Sequence, residues 1–283
     1  MVIRSIRSDK LSTYRTENIF SSYGEFTSLE EYVFFLNWSK ENNLPLYILG
    51  NGTNTFFTRK KIKTVVLKNC LKKDFQELMK GSIRVSSSVS VLKLLKYCEK
   101  NSLDCFYFLA SVPATVGGAL AMNAGEGHGG TVYYFVEEIT YFDNGKTLTK
   151  KKNEIELNHR RTIFSGVQDK LILSAVFRFP EVQLSESPIQ QRMGWCKVHQ
   201  DIYFPNCGSV FREYNGGIMK LCRKLRLPQF GVKLPMAHFS GLVNNWIINE
   251  GKNSWSILIA VRMVQLMHRF IGSRAKTEII EID

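Results

Sequence analysis

Between Phe106 and Gly130 the chain reads FYFLASVPATVGGALAMNAGEGHGG, and no other stretch constrains the fold as strongly. Side chains this small let one backbone approach another, or approach a flat ligand, at distances that larger residues forbid. A turn needs one or two of them. Here they run from Ala110 to Gly125, so the segment either packs closely on a neighbouring element or cradles a bound group, and both readings stay open. A second element, Gly50-Asn51-Gly52-Thr53-Asn54, follows the apolar run LPLYIL. Successive backbone N–H groups in such a turn can form a concave nest for phosphate. It lacks the third glycine of a dinucleotide fingerprint, since Thr55 stands there, and it lacks the Gly-Lys-Ser/Thr of a P-loop. An ordinary glycine turn is the competing reading.

With 283 residues, 44% of them hydrophobic and 22% charged, the chain has room for two or three packed units. That balance excludes a collagen, a disordered tail and a disulfide-stapled miniprotein. The net charge of +13 favours an anionic partner without saying which one. The basic groups Lys72-Lys73, Lys150-Lys151-Lys152 and Arg223-Lys224-Arg226 are scattered and read as solvated faces. Charges interrupt the N-terminal MVIRSIRSDKLSTYR, leaving no apolar stretch for a secretory signal or a membrane span, so a cytoplasmic location is expected. The six cysteines form no CxxC pair and the five histidines no metal-type spacing with them. Reduced thiols and no metal site are the expectation.

Helical spacing after a Ser cap predicts a helix over Ser28–Asn42, and strands are expected at Leu44–Gly50 and Thr64–Asn69. Ile83–Leu103 changes from strand alternation to a helix starting near Ser90. Asp143-Asn144-Gly145 reads as the turn of a hairpin, and Leu171–Phe179 as a further strand. Pro180–Arg192 is polar and aperiodic, which suggests a loop at a domain boundary. Beyond it come a turn, a short strand and a helix within FPNCGSVFREYNGGIMKLCRKLRL. The last amphipathic helix, SWSILIAVRMVQLMHRFI, is too polar to span a bilayer.

Taken in order, Gly50–Asn54, Pro113–Gly125, His159-Arg160-Arg161-Thr162-Ile163-Phe164, Gly208-Ser209-Val210-Phe211 and Glu278 resemble the hallmarks of the UDP-N-acetylenolpyruvoylglucosamine reductase (MurB) family, in its shorter class. The resemblance spans nearly the whole chain. It implies an α+β protein with the MurB-like FAD-binding fold: two α+β FAD-binding domains of the PCMH/vanillyl-alcohol-oxidase type, over 1–70 and 71–182, and a C-terminal α+β substrate domain over 183–283. The implied activity is FAD-dependent, NADPH-driven reduction of the enolpyruvyl group of a UDP-sugar in peptidoglycan precursor synthesis. The implied cofactor-binding residues are Gly50, Asn51, Gly52, Thr53, Asn54, Pro113, Ala114, Thr115, Gly117, Gly118, Ala119, Asn123, Ala124 and Gly125. Reducing such an ether places negative charge beside a carboxylate and requires a proton on the neighbouring carbon. Arg160 can grip the carboxylate. By resemblance, Ser209 supplies the proton and Glu278 helps polarise the carboxylate.

Departures fall on the substrate side, where His159, Arg212, Glu213 and His238 are the candidate binding residues. His159 stands for the family's Tyr, Thr162 for its Ser, and Arg212-Glu213-Tyr214 for Lys-Asn-Pro. Glu213 would repel a diphosphate, and Ser240 removes an expected amide. The family pattern also loses its first glycine after Pro113. A paralogue reducing another enolpyruvyl nucleotide-sugar in a capsule or specialised-metabolite pathway is therefore an alternative. An inert flavin-binding scaffold is another. A nucleic-acid-binding protein, motivated by the charge and by Tyr133-Tyr134-Phe135, is a third. The leading reading expects a small anionic partner, with neither nucleic acid nor membrane.

Overall fold

The computed structural model describes residues 2–126, 130–232 and 234–283. Two compact units emerge from the packing. Unit one takes the chain up to Arg4, Tyr23–Asn51 and Val65–Trp195, and unit two takes Ser5–Ser22, Gly52–Thr64 and Cys196–Asp283. The expected span 71–182 lies wholly in unit one, 183–283 divides after Trp195, and 1–70 is shared between the two.

Unit one holds two sheets. In the first, the strand Asn18–Phe26 pairs through Tyr23–Phe26 with Val65–Asn69, which in turn pairs with Leu46–Leu49, all in parallel. Helix α1 (Leu29–Glu41) presents Tyr32, Phe35 and Leu36 to Phe26, Leu46, Val65 and Leu67. The Ser28 hydroxyl caps α1 by accepting the Glu31 N–H at 3.3 Å, while the Glu31 carboxylate accepts the Thr27 N–H at 2.6 Å. Ser28→Ala is expected to remove about 1 kcal/mol of stability, lowering the urea midpoint without changing the slope of the transition.

The second sheet is antiparallel, in the order Lys146–Lys151, Val136–Asp143, Leu171–Arg178, Ser82–Ser86, Phe75–Met79. Its hairpin turns where expected, with Lys146 opposite Asp143. Helices α2 (Val91–Lys100) and α3 (Val116–Ala121) bury Leu94, Leu95, Val116 and Leu120 against Ile83, Val85, Ile139 and Ala175. The expected loop over Pro180–Arg192 ends early, because helix α4 runs Pro188–His199. The Ser187 hydroxyl accepts the Gln190 N–H at 3.1 Å and Pro188 suits a first helical position, but the helix buries little, so its periodicity is faint.

In unit two, Thr55–Phe57 pairs in parallel with Ile280–Ile282, Ala237–Phe239 pairs with Ile247–Asn249, and Phe211–Glu213 pairs with Lys276–Thr277. Helices α5 (Gly216–Lys224) and α6 (Ser254–Phe270) complete it, with Met219, Ile257, Val261 and Val264 buried alongside Phe56, Val210 and Ile279. His268 on α6 accepts the Asn215 N–H at 2.8 Å through Nε2, so its hydrogen sits on Nδ1 and is donated to the Val264 carbonyl at 2.8 Å. Asn215 itself caps α5. Among the described residues, no helix is long and apolar enough to cross a membrane, and all six cysteines are free thiols.

Candidate functional site

The glycine loop crosses from one unit to the other, and each half is held within its own unit. In unit one, the Lys68 ammonium donates to the Gly50 carbonyl and, at 3.2 Å, to Asn51 Oδ1. Asn51 Nδ2 donates to the Pro113 carbonyl at 2.8 Å. A Cβ on Gly50 would stand 2.6 Å from Thr115 Oγ1, so Gly50 lies against the start of the Pro113–Gly125 run. In unit two, Gly52 has φ +69°, and an added Cβ would stand 2.1 Å from the Leu11 carbonyl oxygen. Its own carbonyl accepts the Thr13 N–H at 3.1 Å. The buried Cys207 thiol lies 3.4 Å from the Thr55 carbonyl and 3.2 Å from Thr13 Oγ1, and burial pushes its pKa up to about 11.

The same unit gathers three predicted residues. Asn54 Nδ2 donates to the Glu278 carbonyl at 3.2 Å, and the Asn54 carbonyl accepts the Ile280 N–H at 2.9 Å. The Glu278 N–H donates to the Val210 carbonyl at 2.7 Å, which brings Glu278 beside Ser209. Ser209 bridges Trp246 on its other side. Its hydroxyl is half-buried and makes no hydrogen bond among the described residues.

Close packing within unit one accounts for the glycines of the long run. A Cβ on Gly117 would meet the Ser87 Cβ at 2.8 Å, and one on Gly125 would meet the Gly130 carbonyl at 2.5 Å and Arg160 Nη1 at 3.0 Å. Nor is the start of α3 available to an anion. Val116 N–H donates to Val89, Gly117 N–H to Ser87, and Gly118 N–H to the Thr115 hydroxyl that caps the helix. Ala114 and Ala119 are buried, and the Ala124 carbonyl accepts the Val132 N–H at 2.8 Å.

Arg160 sits in the turn between the paired strands Leu157–Asn158 and Arg161–Thr162, at φ +57°, a conformation that L residues adopt only when their surroundings hold them there. Asn123, at φ +43°, ties this turn down through Nδ2 to the Asn158 carbonyl at 3.0 Å. The Thr162 hydroxyl donates to the Ala121 carbonyl at 2.9 Å, filling an open acceptor at the end of α3. A serine could do the same, so this departure is conservative in chemistry.

Other predicted residues have protein partners of their own. His238 is a buried residue whose Nδ1 meets the Phe239 carbonyl at 2.8 Å, while Nε2 meets Arg226 Nη2 at 2.9 Å and Glu250 Oε1 at 3.3 Å. Both ring nitrogens are engaged inside unit two. Glu213 pairs with Lys276 at 2.8 Å across two strands, so the charge expected to repel a diphosphate is offset by its neighbour. Ser240 is buried too; its hydroxyl donates to Asp201 and accepts the Val243 N–H at 2.8 Å, capping a turn. His159 is exposed and Arg212 partly buried. Of the proposed stacking cluster, Tyr133 and Phe135 lie in the core and only Tyr134 is exposed, with Lys152 over its ring. Sequence reasoning missed Lys68, Thr13 and Cys207, which hold the loop from behind and carry no motif of their own.

Residues 23–149 match the FAD binding domain family. The whole chain superposes on the crystal structure of UDP-N-acetylenolpyruvylglucosamine reductase (MurB) from Thermus caldophilus with a TM-score of 0.74 at 19% identity, covering 100% of both chains. The enzyme of that name from Aquifex aeolicus is 28% identical over 263 residues, 92% of this chain and 87% of the relative. That from Clostridium novyi is 30% identical over 233 residues, 80% of this chain and 74% of its own length. The chain belongs to the UDP-N-acetylenolpyruvoylglucosamine reductase family. The FAD that this family fold implies is matched by what the residues offer. Among the described residues, the backbone N–H groups of Asn51, Gly52, Thr53 and Asn54 donate to no protein acceptor, as a pyrophosphate site requires. In unit one, the buried Asn123 Oδ1 is an acceptor without a donor, a position suited to an N–H of a flavin ring.

Proposed function

We propose that this chain is the FAD- and NADPH-dependent reductase that converts UDP-N-acetylglucosamine enolpyruvate to UDP-N-acetylmuramate in peptidoglycan precursor synthesis, acting in the cytoplasm. The observation that carries the reading is the meeting of Asn54, Ser209 and Glu278 on neighbouring segments of unit two, with a serine hydroxyl that makes no hydrogen bond among the described residues. FAD, when bound, supplies the hydride chemistry, renewed from NADPH. The residues of the chain have other tasks. Asn51–Asn54 receive the dinucleotide's pyrophosphate on their open N–H groups, and Asn123 accepts from its ring. Ser209 holds, on Oγ, the proton required by the carbon next to the substrate carboxylate. Arg160, always cationic and fixed in its turn by Asn123 and Gly125, offsets the negative charge that builds on that carboxylate, and Glu278 assists from the bend beside Ser209. Arg212 and the Glu213–Lys276 pair border the substrate's charged portion.

The test is optical and kinetic. Purified protein should be yellow, NADPH should bleach it, and UDP-N-acetylglucosamine enolpyruvate should restore the colour in the absence of oxygen. Bleaching without restoration by this substrate, but with restoration by another enolpyruvyl nucleotide-sugar, would move the activity to the paralogous class. A colourless protein that takes up no flavin would end the reading altogether.

A further inference from the structure

Lys68, next to last in the strand Val65–Asn69, stands opposite Leu49, the residue before the loop begins. It is half-buried, and burial lowers its pKa below the usual lysine range. Yet among the described residues it has no carboxylate within ion-pair distance; both of its partners, the Gly50 carbonyl and the Asn51 side-chain oxygen, are neutral. Glu25, opposite Lys68 on the neighbouring strand, attracts the ammonium from beyond ion-pair distance, but burial outweighs that attraction, so a further negative charge from outside the chain would be favoured here.

Its contacts also fix a direction. In a trans peptide the C=O and the following N–H point to opposite sides. An ammonium gripping the Gly50 carbonyl therefore turns the Asn51 N–H, which donates to no described residue, to the other side. The second contact sets the Asn51 amide, with Oδ1 toward Lys68 and Nδ2 donating to Pro113. Gly50 leaves no room there for a side chain, since an added Cβ would stand 2.6 Å from Thr115 Oγ1.

We infer that Lys68 is the positioning residue of the cofactor loop: it orients the Gly50–Asn51 peptide so that the Asn51 N–H faces the dinucleotide's pyrophosphate, and its positive charge, set behind that peptide on the Gly50 carbonyl, polarises the N–H toward the anion. The inference rests on the FAD reading, and its test separates the two. Apoprotein of the wild type, Lys68→Met and Lys68→Arg is titrated with FAD and with riboflavin, which carries no phosphate, following quenching of flavin fluorescence. An oriented, polarised N–H bond to a charged group is worth about tenfold or more in affinity. Lys68→Met, which keeps the length of the side chain, should weaken FAD by at least about tenfold, with riboflavin changed by less than about twofold and the thermal midpoint of the apoprotein held within about 2 °C. Lys68→Arg should return FAD affinity to within about threefold of wild type, and the difference between wild type and Lys68→Met should shrink as salt is raised.

Equal weakening of FAD and riboflavin would overturn the inference, as would unchanged FAD affinity in Lys68→Met. A fall in thermal midpoint shared by both variants, with no rescue by arginine, would make Lys68 a structural residue and overturn it as well. Failure of the wild-type apoprotein to take up FAD would instead overturn the flavin reading, and that result is read on a different sample.

Discussion

Replacing Ser209 by alanine is expected to lower substrate-dependent turnover by about 10²- to 10⁴-fold, the usual contribution of a positioned proton donor, while reduction of the bound flavin by NADPH continues within about twofold. The separation arises because the two half-reactions ask different things of the chain. Accepting a hydride equivalent from NADPH needs no acid at the substrate carbon, whereas completing the reduced ether does. The Ser209 hydroxyl makes no hydrogen bond among the described residues, so its removal breaks no internal contact and leaves no buried partner unsatisfied. The backbone of the segment is held independently, by the Val210 N–H donating to the Asn245 carbonyl at 2.9 Å and by the Val210 carbonyl accepting from Glu278. Ser209→Ala should therefore unfold at the wild-type temperature, and Ser209→Cys, which restores a weak donor, should recover part of the rate. Stopped-flow measurement of the two half-reactions decides the matter. Turnover of the alanine variant at the wild-type rate would remove Ser209 from the chemistry.

What could be read from the sequence depended on whether a residue's role is local. The cap of α1, the hairpin turn at Asp143-Asn144-Gly145 and the start of α2 at Ser90 are set by neighbours three or four residues away, and each stands where the pattern placed it. Asn54, Ser209 and Glu278 were nameable one by one, but only the pairing of Thr55–Phe57 with Ile280–Ile282 brings Asn54 to Glu278. The glycines were legible as close approaches and not as to what approaches them. Gly117 meets Ser87 and Gly125 meets Arg160, partners 30 or more residues away in the chain. His238 has the residue type of a ligand contact, and its place between Arg226 and Glu250 comes from a tertiary arrangement with no short-range signature. Lys68 has the opposite character. A lysine at the end of a strand reads as a solvated terminus, and its function is visible only once the turn beginning at Gly50 has folded back on it.

Gly52→Ala is expected to abolish measurable FAD retention and to destabilise the protein by more than the left-handed backbone alone would explain. At φ +69° an alanine is strained by about 1–2 kcal/mol, whatever surrounds it. The hairpin glycine Gly145 is the internal control, since it has φ +77° and nothing within 4 Å of an added Cβ. Gly145→Ala should therefore show the backbone penalty by itself, at about 1–2 kcal/mol in a denaturant titration, with FAD affinity unchanged. At Gly52 a Cβ would also fall 2.1 Å from the Leu11 carbonyl oxygen and 3.0 Å from the Ser12 Cα, which are backbone atoms that no rotamer change can move aside. Relief requires the turn to shift as a whole. The shift would pull the Gly52 carbonyl away from the Thr13 N–H and disturb the Thr55 carbonyl held by the Ser12 hydroxyl at 2.5 Å. That shift would also re-aim the neighbouring N–H groups of Thr53 and Asn54, which donate to no described residue. FAD affinity should then fall by about 100-fold or more, in line with the loss of two or more hydrogen bonds to a charged group. Equal destabilisation of the two alanine variants, with FAD binding intact in both, would mean that the Leu11 contact does not constrain the turn and that the loop can present its amides in more than one conformation.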